Sequence, residues 1–224
     1  MRLIAMSVLV LLASTTGARA ANVGPDGWEP IADKDGVKVF RKSVAGSPLK
    51  SMKGIGIVDV PVATVALVLL DDPRAHEWVD SLAESRMVRQ LNPREYIEYN
   101  HIAMPAICRD REFVTRVAME SRPAEKIALI RSAPADDASI AHNKKIIRGD
   151  LTSFYQLRSI DGGKRTELTI EMHTDPKGWL PAWVVNLFQK SWALETIRGI
   201  RKQCQKPDLK APPEFAAYLD ELKF

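Results

Sequence analysis

The chain has 224 residues, 46% of them hydrophobic, with 32 basic and 28 acidic side chains and a formal net charge of +4. That is enough for one domain with a sizeable core, or for a core around an internal space. Arg2 and Arg19 carry half of the excess charge, and such an even mixture without a Lys/Arg stripe excludes nucleic acid as the expected partner, whose binding is dominated by phosphate neutralisation.

In chain order, Arg2 precedes an apolar run over 3–13, and Ala18-Arg19-Ala20 has the small-x-small pattern of a signal-peptidase site. The pattern predicts a leader over 1–20, cut after Ala20, and an exported protein over 21–224, periplasmic or secreted. Past the leader, no stretch approaches the roughly 18 apolar residues of a spanning helix.

A Gly/Pro-rich entry at 24–27 leads to alternating residues over 37–42 that predict a half-buried strand, with 50–60 as its partner. Pro61 suits a first helical turn, so 62–70 reads as an apolar helix stopped by Asp71-Asp72-Pro73. A short helical piece follows around His76 and Trp78. Strands are then predicted at 87–91, 96–104, 112–121, 126–132, 145–160 and 166–174, with a loop over 133–143 and a tight turn at Asp161-Gly162-Gly163. A helix over 181–203, roughly 35 Å long at 1.5 Å per residue, closes the pattern. A short amphipathic stretch over 214–223 contains Phe215, Leu219 and Leu222. No repeat or linker divides 21–224, which therefore reads as a single domain.

The long helix is the informative element. Trp183, Leu187, Leu194, Ile197 and Ile200 form an ordinary core-facing stripe. Val185, Phe188 and Trp192 add a second apolar arc, and leaving Phe188 and Trp192 in water would forfeit several kcal/mol at about 25 cal/mol per Å². Protein, such as the 133–143 loop, a membrane surface or a bound lipid must cover that arc. Arg198, Arg201, Lys202 and Lys206 gather at the helix end, where the dipole favours cations and where anionic headgroups are an alternative partner.

Little points to chemistry. The four histidines (His76, His101, His142, His173) are too scattered for a metal motif, and no nucleophile or phosphate-loop signature occurs, so no catalytic, metal-binding or cofactor residues are predicted. Glu171 and His173 share one strand face, which suits either an acid-base pair in a cavity or a solvated face. Cys108 and Cys204 are compatible with a disulfide or with two separate thiols.

Three motifs resemble the START domains, the lipid-transfer domains related to steroidogenic acute regulatory protein. They are Lys177-Gly178-Trp179-Leu180-Pro181 with Asn186, Arg109-Asp110-Arg111-Glu112-Phe113-Val114, and Leu70-Asp71-Asp72-Pro73 leading to Trp78. Their order and spacing cover about 28–203. The resemblance implies an α+β helix-grip fold, also found in Bet v 1-like proteins, with a curved antiparallel sheet wrapped around a long C-terminal helix enclosing a cavity. It places Val185, Gln189, Trp192 and Thr196 toward a lipid tunnel, with Phe188 at its edge. Glu98 falls where sterol-carrying relatives keep a cavity carboxylate, although it also suits a rim position. The basic partner of those relatives falls on Val117, and Arg116, one residue away, points to the opposite strand face.

The expected function is therefore non-enzymatic carriage of one lipid, a phospholipid, sterol or related molecule, by a monomer in transient contact with membranes. The alternatives are a helix-grip enzyme of the cyclase or hydrolase kind, working on a hydrophobic small molecule through Glu171, His173 or Glu98, and a docking module for a membrane or a protein.

Overall fold

The computed structural model describes residues 26–224 apart from 142 and 181, and only the backbone of 182–184 and 186–190. The predicted leader, His142, Pro181 and the side chains of Trp183, Asn186, Leu187, Phe188 and Gln189 lie outside the described residues.

The strands are β1 (Glu29–Lys34), β2 (Val37–Ser43), β3 (Lys50–Val58), β4 (Leu82–Asn92), β5 (Glu95–Ile102), β6 (Arg111–Arg122), β7 (Ile127–Pro134), β8 (Ile147–Arg148), β9 (Asp150–Ile160) and β10 (Arg165–Asp175). The helices are α1 (Val62–Leu70), α2 (Ala182–Gln203) and α3 (Ala216–Glu221). One sheet runs in the order β1-β2-β3-β10-β9-β7-β6-β5-β4 with antiparallel pairing throughout, and β8 adds a short parallel pair to β6. The chain thus leaves the sheet after β3, forms α1, and resumes at the far edge with β4. This places α1 across the concave side.

Side-chain alternation gives the sheet two faces. Val39, Met52, Tyr96, Val117, Met119, Ala128, Ile130, Leu157, Leu168 and Ile170 come from seven strands and share one core with α1, α2 and α3. Helix α1 carries no charged residue and buries Val62, Val65, Ala66, Val68 and Leu70. It survives without a side-chain cap because packing on both the sheet and α3 replaces what capping would supply. Phe215, Tyr218, Leu219 and Leu222 seal the tail against this core, with the Phe215 ring 5.2 Å from that of Tyr96.

The opposite face has its own small cluster, Ile97, Tyr99 and Val114, covered by Ile140 from the 133–143 loop. That loop packs on the outside of the sheet and therefore cannot be the cover for α2.

Three departures from the sequence reading have local causes. Strand β1 was not expected. It is an edge strand, mostly exposed, so it carries little apolar alternation, and its signal is the Asp35-Gly36 turn, with φ of 53° and 67°. Strand β4 begins at Leu82, earlier than its apolar residues indicate. The single strand predicted over 145–160 is broken at Gly149, where a Cβ would lie 2.6 Å from Phe113 and 2.8 Å from the Asp175 carbonyl oxygen. The chain can cross there only without a side chain. The turn at 161–163 and the helix over 181–203 agree with the reading.

Candidate functional site

The C-terminal half of α2 is clamped to the sheet. Ala193, Ile197 and Ile200 are buried, and burying each isoleucine is worth about 1.5–3 kcal/mol. The helix approaches β3 closely because Gly54 and Gly56 lie beneath it. A Cβ at Gly54 would sit 3.1 Å from both Ala193 Cβ and Ile197 Cδ1. Gly199 likewise rests on the Trp78 carbonyl, only 2.5 Å from where its Cβ would be.

Polar contacts lock the same end. Glu77 accepts hydrogen bonds from Arg74 Nε (2.9 Å), Gln203 Nε2 (2.9 Å) and Lys206 Nζ (2.5 Å), and these donors, Arg74 first, hold its carboxyl well below the usual range. Arg201 donates to the Ile57 and Asp35 carbonyls at 2.8 Å each, and Arg198 pairs with Asp35 and Glu195. Three of the four clustered cations are therefore engaged by protein. Cys204, buried beside them, has its thiol pushed up to about 12 by burial, and Cys108 is a separate free thiol on the 103–110 loop.

The N-terminal half differs. Val185, Trp192 and Thr196 are half-buried, and Trp192 lies against the edge of the main core. On the concave sheet face, β5 presents Tyr96, Glu98 and Asn100, paired in register with Val117, Thr115 and Phe113 of β6. Tyr155 of β9 lies opposite Ile130 and Ile170 on the same face.

Glu98 is thus an inward residue. It is half-buried, and burial is the main cause that raises its carboxyl above the usual range. Tyr155 is likewise half-buried, with burial first and the Glu98 charge second in raising its phenol. Thr115 Oγ1 donates to Glu98 Oε2 at 3.0 Å, and Asn100 and Asp72 also donate to Glu98. Asp72 follows α1 and is 4% exposed. Burial, then the charge of Glu98, pushes its carboxyl well up, and the Tyr96 hydroxyl donates to it at 3.4 Å. Val117 is buried and Arg116 lies on the outer face, donating to Glu95 Oε2 at 2.6 Å, so the missing basic partner is not supplied from a neighbouring position.

Asn100, Thr115 and Tyr155 were not singled out from the sequence, and Asp72 was read only as a helix stop and as part of a family motif, not as a site residue. The four are dispersed over more than eighty positions, and only the sheet register joins them. Inward alternation of β9 was the one available signal for Tyr155.

Glu171 and His173 point outward on β10. Glu171 pairs with Lys53 at 3.1 Å, and His173 lines a surface groove with Asp150, Thr152 and Asp175. They share a strand face, as expected, but not the one that faces the helix.

Arg111 organises the loops at the N-terminal end of α2. Its buried guanidinium donates to the carbonyls of Pro176 (3.0 Å), Lys177 (3.1 Å) and Trp179 (3.3 Å) and also to that of Arg109. It thereby ties the 103–110 loop to the 176–180 segment. Each loop exposes one large apolar side chain, Ile107 at 67% and Trp179 at 74%. No helix among the described residues is long and apolar enough to cross a membrane.

The family model for the START domain matches residues 14–210. An uncharacterised protein of Pseudomonas aeruginosa is 30% identical over 88% of this chain and 96% of its own. The crystal structure of human STARD10 superposes with a TM-score of 0.73 at 24% identity, covering 82% of this chain and 75% of that one. That of the STAR-related lipid transfer protein from Xanthomonas axonopodis gives 0.71 at 22% identity, over 81% of this chain and all of the other. Both superpositions carry the helix-grip fold.

Proposed function

The chain belongs to the START-domain family, and from that premise we propose that it carries one lipid molecule in an internal space beneath the N-terminal half of α2, without chemical turnover. The observation that carries this reading is the state of Glu98 and Tyr155. Both are half-buried on the face that α2 covers, next to buried aliphatics, which supports room for a ligand beside them. Val185, Trp192 and Thr196 supply the roof from the helix. Apolar burial of the lipid supplies most of the affinity, and the few polar groups set its orientation.

The outward placement of Glu171 and His173 supports carriage over acid-base catalysis, because neither reaches that space. Lipid enters past the loops that Arg111 ties together. Trp179 and Ile107 rest in the headgroup layer during this step, where a tryptophan ring is well accommodated. The protein works as a monomer outside the cytoplasm, after removal of 1–20.

Extraction of the purified protein with organic solvent, followed by mass spectrometry, tests the reading. One intact lipid per chain is expected. Turnover of an added lipid by the protein, or a fully lipid-free protein that also takes none from vesicles, contradicts it. Cell fractionation with N-terminal sequencing checks the location, for which a first residue of Ala21 in the exported fraction is expected.

A further inference from the structure

One row of the inner sheet face can be followed in register across six strands. Tyr96 of β5 pairs with Val117 of β6, Val117 with Ser132 of β7, Ser132 with Ser153 of β9, Ser153 with Met172 of β10, and Met172 with Met52 of β3. The outer members are large and mainly apolar, and the next row holds the buried Ile130 and Ile170. At the centre, where a core ordinarily places aliphatic side chains, stand two serines.

Both are more than nine-tenths buried, with Ser132 at 8% and Ser153 at 7% exposure. As direct partners on neighbouring strands, their Cβ atoms lie roughly 4.5–5.5 Å apart. Neither hydroxyl makes a hydrogen bond among the described residues. Two residues past Met172, on the same face of β10, Thr174 Oγ1 is also buried and without a partner. A buried hydroxyl left unpaired is costly, and three on adjoining strands mark a patch whose partner is not protein. The row lies at the level of the N-terminal half of α2. Gly56 of β3 sits under Ile197 and Arg201, and Gly54 under Ala193 and Ile197, so Met52, the next inward residue, falls beneath the turn before Ala193.

We propose that Ser132 and Ser153 form an uncharged seat for a carbonyl oxygen in the interior of the cargo, which is then an ester or amide with apolar parts on both sides of that group. The inference rests on the carrier reading above and adds the chemical class of the cargo. A carbonyl oxygen has two lone pairs and no proton, so it accepts from both serines at once. Tyr96 and Val117 on one side, with Met172 and Met52 on the other, continue the row as apolar surface, which suits an oxygen placed between two apolar parts. An alcohol carries its oxygen at one end of the molecule. No charged side chain stands in the row, so an anionic group seated there would lose its hydration without gaining a counter-charge.

Three probes separate these cases: decyl decanoate, didecyl ether, which has the same skeleton without the carbonyl, and octadecanol. Each is offered to delipidated protein, free probe is removed by gel filtration, and retained probe is counted by mass spectrometry. Wild type is expected to retain the ester about tenfold over the ether, the size of one or two neutral hydrogen bonds, and the alcohol less than the ester. Ser132→Ala and Ser153→Ala each lower the ester-to-ether ratio several-fold, and together they bring it to about one. In urea, the lipid-free double variant is expected to unfold at no lower concentration than lipid-free wild type, because an unpartnered hydroxyl contributes nothing to the fold. A clear loss there, equal retention of ester and ether by wild type, stronger retention of the alcohol, or an unchanged ratio in the double variant overturns the inference and leaves the carrier reading standing. Retention of none of the three, together with no lipid taken from vesicles, overturns the carrier reading and this inference with it.

Discussion

The two halves of α2 belong to one uninterrupted helix and are held by different means. Past residue 192 the helix lies on glycines, with Ala193, Ile197 and Ile200 fully buried and Glu77, Arg74, Gln203 and Lys206 locking its end. Before it, Val185 and Trp192 are half-buried, and the sheet face on that side carries the half-buried Glu98 and Tyr155 beside the buried Val117, Ile130 and Ile170. In the proposed reading, one half contributes stability and the other covers the cargo. A lid needs both, because a hinge must hold while the cover moves.

Substitutions in the two halves should separate these roles. Ile197→Ala, in the clamped half, is expected to cost about 2–5 kcal/mol in urea unfolding, as a fully buried isoleucine should. Trp192→Ala should cost clearly less despite the larger side chain, because its ring is already partly wetted. Equal losses would erase the distinction between the halves. Trp192→Glu is expected to reduce lipid loading at least about tenfold while leaving the chain folded, since one charge beneath the lid outweighs the apolar contact it replaces.

The buried carboxyl pair gives a pH test with a definite sign. Asp72 in the folded protein holds its proton far more tightly than in the unfolded chain, so its contribution to stability is greatest below the ordinary value of 3.8 and declines as pH rises toward the raised one. Asp72→Asn removes that decline. It should stabilise the protein by about 1 kcal/mol or more at neutral pH and by almost nothing in strong acid. Glu77 gives the opposite sign. Held below its ordinary 4.5, it contributes above that pH and loses the contribution on acidification, so Glu77→Gln should narrow the difference between neutral and acid melting curves. Its effect should be the smallest of these, being exposed to solvent.

Much of the frame was legible in the sequence because it is written in periodic patterns. The α2 helix, most strand positions and the 161–163 turn follow from hydrophobic period and turn chemistry. Strand β1 escaped because an exposed edge strand needs no alternation, and the break at Gly149 because it answers to Phe113 and Asp175, both distant in sequence. The polar site was less legible. Glu98 was reached only through register with a family motif, and the same register placed Arg116 on the wrong face for a partner, as the Glu95 contact bears out. Asp72 read as a helix stop, and nothing local marks it as buried under Glu98. A site assembled from β5, β6, β9 and the end of α1 exists only after the sheet has closed. The helix, by contrast, shows its second apolar arc over the eight residues 185–192.

The most direct test of the central claim is to crystallise the protein with a brominated fatty-chain lipid and locate the bromine by anomalous scattering. The account predicts bromine between the 185–192 stretch of α2 and the inner face of β9 near Tyr155, with Trp192 against the chain. Bromine found only on the outer surface, such as the groove beside His173, with Trp192 packed directly onto Glu98 and Tyr155, would contradict it.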